Sequence, residues 1–376
     1  MILLENGPRG EPALFDSPRR LIRADTAGEV EAALAALDAA RAEGVWLAGY
    51  ARYELGHALE PKLARLMPEQ TDGPLLHFGV YDAPTSAQDI LMRATAEAGG
   101  ATIGRATPAW GAAEHAQALG RVQDYIAAGD VYQVNLTMQM RAPVTGTPLG
   151  LYGALRQRQT VAHGAFVDLP EAPVILSRSP ELFFATDARG RIETHPMKGT
   201  APRATNPAHD AALKLGLQES VKNRAENLMI VDLLRNDISR IAEVGSVRVP
   251  ALFAIESYAT VHQMVSHVTG TLLPGTTPSG IFRALFPCGS ITGAPKIRAM
   301  EIIHELEAGP RGIYCGAIGW IGPDGSSAFN VAIRTMTLAG DEVGFGVGGG
   351  IVIDSTAEGE WEEALWKARF ADLTPA

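Results

Sequence analysis

Lys198 lies in a stretch with few bulky neighbours, Pro196-Met197-Lys198-Gly199-Thr200. The proline stiffens the approach, and Gly199 lets another group come close to the backbone. A lysine amine is a nucleophile only when burial or a nearby cation lowers its pKa. Taken alone, the segment reads as a nucleophile or as a solvated loop lysine. Glu181 follows Pro180 and opens the apolar run 182–184. A carboxylate at the edge of an apolar strand acquires a raised pKa and works as acid or base, or it is a strand-end charge in water. Glu219 and Glu226 are seven apart and Glu360 and Glu363 three apart, so each pair shares one face of a helix. Carboxylates from two helices suit Mg²⁺, which takes one or two of them plus water and substrate oxygens. The plainer reading is salt-bridged helix surface.

Arg334 sits in the apolar segment 330–335, where strand alternation places it on the face of Ala332. A guanidinium there would pair a carboxylate, from a ligand or from the protein. Glycines cluster at 289–293 and 344–350. Gly344, Gly346 and Gly349 spell G-x-G-x-x-G, but residues 351–353 read as a strand, the wrong context for a dinucleotide site. What both clusters offer is exposed backbone N–H. Residues 289–292 lead into a predicted helix N-terminus, which favours a carboxylate. Residues 348–350 bring donors against a flat ligand. The alternative for both is a tight turn.

These groups need a frame. Apolar residues recur at helical spacing over 27–43, 113–128 and 217–243, with Gly129 and Gly245 as stops. A further helix is predicted from Ala294-Pro295, and another over 357–373 with Ser355 and Glu358 at capping-box spacing. Residues 131–140 alternate as a half-buried strand, and 45–50, 173–178, 181–185, 313–321, 328–337 and 342–353 are further strand candidates. The order has no βαβ periodicity, so the fold class is α+β with extensive, largely antiparallel sheet. The glycine- and proline-bearing stretch 97–111 marks a boundary between a region 1–112 and a catalytic region 113–376.

With 32 basic and 42 acidic residues the net charge is −10, which argues against a nucleic-acid binder. Two cysteines, Cys288 and Cys315, fit a reducing, cytoplasmic setting, and no apolar run reaches the ~18 residues of a membrane span.

The order of the segments YQVNLT (132–137), SPELFF (179–184), PMKGTAPR (196–203), NRAENLMIVDLLRNDISRI (223–241), FPCGSITGAPKIRAMEII (286–303), GIYCGAIGWI (312–321), NVAIRT (330–335) and GGGIVIDSTAEGEWEEA (348–364) resembles the chorismate-utilising enzymes. The resemblance is dense over about 115–372 and loose before it, through residues 3–6 and 48–56. It implies a layered core of two antiparallel sheets with outer helices. Lysine at 198, where anthranilate synthases carry alanine, points to the branch that makes 4-amino-4-deoxychorismate for 4-aminobenzoate and folate. There the resemblance makes Lys198 the nucleophile and Glu181 the general acid/base. It makes Glu226 and Glu363 the Mg²⁺ ligands, supported by Glu360. It places Arg334, Tyr314, Thr292, Gly348, Gly349, Gly199 and Thr200 around the substrate. Ammonia is expected from a separate glutaminase subunit. Departures from the family pattern include Gln263 in place of a histidine, Cys288 in place of a glycine and Met197 in place of an isoleucine.

Overall fold

The structure is a computed structural model that describes residues 1–68, 72–258 and 261–373. Two antiparallel sheets dominate it. One has 11 strands and is centred on the paired strands Gln133–Thr145 and Glu342–Ile351. The other has 10 strands and is centred on Leu182–Thr186, Ser327–Val331 and Ala317–Ile321. This is the α+β, two-sheet architecture expected.

The sheets meet through apolar side chains. Ile2, Leu4 and Phe15 of the first sheet pack with Tyr50, Tyr81, Ile318 and Trp320 of the second. On the outer face of the second sheet, Phe78, Phe184 and Phe329 pack on Phe282 of the helix Pro278–Leu285. Offset and edge-on rings of this kind add to the gain from burial alone.

The first 112 residues are woven into both sheets. Strands Ile2–Leu4, Ala13–Phe15 and Thr85–Ser86 extend the first, and Arg20–Ala24, Trp46–Ala51 and Leu76–Tyr81 extend the second. The glycine-bearing stretch at 97–111 holds two short strands that pair with Gln133–Thr145.

Several elements differ from their sequence patterns, each for a local reason. The helix predicted over 217–243 is two helices, Pro207–Glu219 and Val221–Ser239. Ser220 breaks the run because its side chain accepts from the Asn223 N–H and caps the second helix. The last helix, Ala357–Ala368, is capped by Thr356, whose side chain accepts from Gly359 N–H. Ser355, the expected cap, instead donates to Glu360 at 2.6 Å. Residues 289–292 do not run into a helix: a 3-10 turn, Gly289–Ile291, is followed by the short strand Gly293–Ala294, and the helix Lys296–Leu306 begins only beyond Pro295. Arg334 is not on a strand. It sits between Ser327–Val331 and Thr335–Ala339 with φ +49°, the left-handed region.

Candidate active site

A cavity of about 660 Å³ opens between the two sheets beneath the helices Val221–Ser239 and Ala357–Ala368. It collects Glu181, Lys198, Gly199, Thr200, Glu226, Tyr314, Arg334, Gly348, Glu360 and Glu363, drawn from several separate segments of the chain. Gly349 stands at its edge, where an added Cβ would lie 3.0 Å from Glu360 Oε2 and 3.4 Å from Glu363 Oε1. Thr292 is the exception. It is fully buried behind the wall, with its hydroxyl given to the carbonyls of Cys288 and Gly289. Glu219 does not line the cavity, because the break at Ser220 puts it on a different helix from Glu226.

Glu181 follows the strand Val174–Ser179 and is 5% exposed. Burial disfavours its charged form and pushes its pKa up to about 7, against a restraining hydrogen bond from Ser290 Oγ at 2.7 Å. Its acid form is therefore favoured well beyond that of an ordinary glutamate. Lys198 lies on the edge strand Met197–Pro202. Its amine makes no hydrogen bond or ion pair among the described residues. Burial first, and then the Lys367 ammonium, lower its pKa below the usual lysine range, although Glu226, Glu181 and Glu363 oppose this. The two shifts run towards each other, as an acid and a nucleophile sharing one site require.

The strand that carries Lys198 is held by Gln263. Its amide donates to Gly199 O at 3.0 Å, and its carbonyl accepts from Thr200 Oγ1 at 2.9 Å. Gly199 has φ +91°, a conformation open to glycine, and an added Cβ would sit 3.0 Å from Asn223 on the helix above. The neighbouring His262 points the other way, to Ser257 and Asp210.

The helix carboxylates form a negative cluster. Burial raises the pKa of Glu226 and of Glu360, and each also feels its acidic neighbours. Glu363 is subject to the same burial, but the Lys367 ammonium at 2.7 Å leaves it below the usual carboxylate range. Lys367 also donates to Gly348 O at 2.8 Å. Among the described residues no three acidic, histidine or cysteine side chains are grouped tightly enough to enclose a cation. A Mg²⁺ ion needs one or two hard carboxylates and takes its other ligands from substrate and water. Glu226 with Glu363 or Glu360 offers such a donor set.

Arg334 lines the cavity without a side-chain partner among the described residues, and burial lowers its pKa. Its carbonyl accepts from Arg178 N–H, which fixes the backbone where φ is left-handed. Tyr314 lies against Gly346, where any Cβ would overlap its ring. Among the described residues the cavity thus offers a guanidinium without a side-chain partner, helix carboxylates, a buried acid with a raised pKa and an amine with a lowered one.

Ser290 and Lys367 are the contributors that motif reading left out of the chemistry. Lys367 is legible as one turn beyond Glu363, an i,i+4 pair. Ser290 meets Glu181 across 109 residues, and no local pattern announces that contact.

Residues 4–372 match the family described as chorismate binding enzyme. The chain is 48% identical over 246 residues to an aminodeoxychorismate synthase of Streptomyces griseus, covering 65% of this chain and 34% of that protein. It is 44% identical over 254 residues to aminodeoxychorismate synthase component 1 of Escherichia coli, covering 68% of this chain and 56% of that protein. The chain thus spans between a third and just over half the length of these relatives. Among solved structures, anthranilate synthase component I of Streptococcus pneumoniae superposes with a TM-score of 0.80 at 27% identity, covering 95% of this chain and 91% of that one. An isochorismate synthase of Escherichia coli superposes with a TM-score of 0.73 at 18% identity and shares the fold.

Proposed function

The chain belongs to the chorismate binding enzyme family, and we propose that it replaces the C4 hydroxyl of chorismate with ammonia to give 4-amino-4-deoxychorismate. The observation that carries this reading is Lys198, an amine with a lowered pKa and no polar partner among the described residues, in the same cavity as Glu181, whose pKa burial raises to about 7. The similarity to aminodeoxychorismate synthases supports it.

Replacing a hydroxyl with an amine at one carbon is difficult in a single step, and the site suits two. The neutral Lys198 amine adds at C2. The C1–C2 double bond shifts to C1–C6, the C5–C6 double bond shifts to C4–C5, and the C4–O bond breaks. Glu181 gives its proton to the departing oxygen, which leaves as water. Ammonia then adds at C4, both double bonds return, and the Lys198–C2 bond breaks. The amine and the carboxylate between them hold the protons until release.

Arg334 would pair one substrate carboxylate, with the backbone at 348–349 beside it. Glu226 and Glu363, with Glu360 behind them, would hold Mg²⁺, which supplies charge neutralisation at the other carboxylate. Ammonia would come from a separate glutaminase subunit; the name of the Escherichia coli relative, component 1, supports a partner subunit of some kind.

The test is an incubation with chorismate, ammonium chloride and Mg²⁺, and no other enzyme. The expected product is 4-amino-4-deoxychorismate. Direct release of fluorescent anthranilate would overturn the reading.

A further inference from the structure

Cys288 and Thr292 flank the tight turn Gly289–Ile291 that brings Ser290 to Glu181. All of this turn is buried. Thr292 clamps it from inside, sharing its hydroxyl proton between Cys288 O at 3.2 Å and Gly289 O at 3.3 Å. From outside it is pressed by the helix Val221–Ser239, since a Cβ added at Gly289 would lie 2.6 Å from Leu233. The turn thus fixes the spacing between the side chains of Cys288 and Ser290. The Cys288 sulfur lies 3.3 Å from Ser290 Oγ, which lies 2.7 Å from Glu181 Oε1.

Counting protons gives this chain a direction. A serine hydroxyl has one proton to give and two lone pairs. When Glu181 is ionised its oxygens only accept, so the Ser290 proton goes to Oε1 and Ser290 accepts from the thiol. The thiol has that proton to give, because burial pushes its pKa up to about 12. When Glu181 is protonated, two arrangements compete. With the proton on Oε2, the chain keeps its direction. With the proton on Oε1, the carboxyl donates to Ser290, and Ser290 must turn its own proton to sulfur, a weak acceptor. The first arrangement wins by the difference between an oxygen and a sulfur as acceptor. A glycine at this position, as in the family pattern, would leave Ser290 free of that bias.

We infer that Cys288 is a positioning residue for the amination: its thiol donates to Ser290 and commits the Ser290 proton to Glu181 Oε1, which leaves Oε2 to carry the proton that the substrate receives. As the C4–O bond breaks, Oε2 passes its proton to the departing oxygen, and the electron pair of that bond leaves with the water formed. The charge left on the carboxylate is met at Oε1 by a hydroxyl already pointing at it, so nothing reorients during the step. This rests on the amination proposed above.

The other charged and titratable groups that face Glu181 and Cys288 are Lys198, the Cys315 thiol and Lys296, which is paired with Asp237 at 2.6 Å. Substitution at 288 leaves all of them in place. Cys288→Ser and Cys288→Ala are compared with the wild type through the pH profile of kcat/KM for chorismate at constant free ammonia. Serine is the stronger donor and alanine gives none. Each link in such a chain strengthens the next by about 10–30%, so the alkaline limb should move down by about 0.2–0.6 pH unit in Cys288→Ser and up by about as much in Cys288→Ala. Both replacements are smaller than cysteine, so a role in packing alone would move both limbs the same way. The same two substitutions are then made in Ser290→Ala, where the residue at 288 has nothing to act through and the limbs should coincide. Limbs that stay in place, move together, or still separate in the Ser290→Ala background overturn the inference. The product of the wild-type reaction tells the two failures apart. Anthranilate overturns the amination reading, whereas 4-amino-4-deoxychorismate with limbs that ignore residue 288 overturns this inference alone.

Discussion

Removing one hydroxyl tests how the site sets its acid. Ser290 Oγ donates to Glu181 Oε1 at 2.7 Å and favours the carboxylate, while burial favours the acid and wins, leaving the pKa near 7. In Ser290→Ala that donor is gone and nothing replaces it, because Ser290 is 4% exposed. A hydrogen bond to a charged group is worth about 1.5–3 kcal/mol, and ~1.4 kcal/mol is one pKa unit, so Glu181 should rise by about one to two units. The group loses its proton at higher pH, so the alkaline limb of kcat/KM for chorismate moves up by the same amount. The profile is measured at constant free ammonia, so that the titration of ammonium does not imitate the shift. An alkaline limb that stays in place, or moves down, would refute the assignment of Glu181 as the acid or of Ser290 as the group that restrains it.

Gln263→Ala removes both hydrogen bonds to the Gly199–Thr200 backbone and side chain. We expect kcat to fall about tenfold with a smaller change in the chorismate KM, since the lysine is misplaced while the substrate contacts stay. Gly346→Ala puts a methyl into the Tyr314 ring, and steady-state kinetics should show the chorismate KM raised about tenfold with the circular dichroism spectrum retained. Away from the site, Arg178 is 1% exposed and joins Glu5, the Tyr152 hydroxyl and Gln159 O across the N-terminal strands. Glu5→Ala leaves that guanidinium buried and unpaired, and denaturant unfolding should show a loss of about 3–5 kcal/mol.

Much of the reaction cavity was legible because its residues carry their chemistry in local motifs. A lysine between Pro196 and Gly199, a glutamate after Pro180 and the pair Glu360 and Glu363 three apart on one helix are visible in a few letters each. The antiparallel two-sheet fold was legible in the same way, from strand alternation without βαβ periodicity. What stayed hidden depends on who covers whom. Periodicity placed Glu181 at a strand end but could not tell water from a buried wall, and the side chain that hydrogen-bonds it there, Ser290, comes from 109 residues away. The same limit applied to Arg334, whose alternation pattern looked like strand while its backbone turns left-handed between two strands. The helix break at Ser220 was masked because apolar residues continue in register across it, and a capping serine competes with the helix only through its own backbone contact. Thr292 shares a motif with the pocket wall, yet its hydroxyl is used inward. The interleaving of the first 112 residues into both sheets rests on pairings more than 150 residues apart, such as Ile2 with Val167 and Ala48 with Trp320.

The central claim is that Lys198 bonds to the substrate. Incubating the protein with chorismate and Mg²⁺ while withholding ammonium should let the first displacement proceed and stall the second. Intact-mass and peptide mass spectrometry should then find Lys198 carrying chorismate less one water, and added ammonium should discharge it as 4-amino-4-deoxychorismate. A protein that turns over chorismate with ammonium, yet never carries that mass on Lys198 and keeps its rate in Lys198→Ala, would contradict the account.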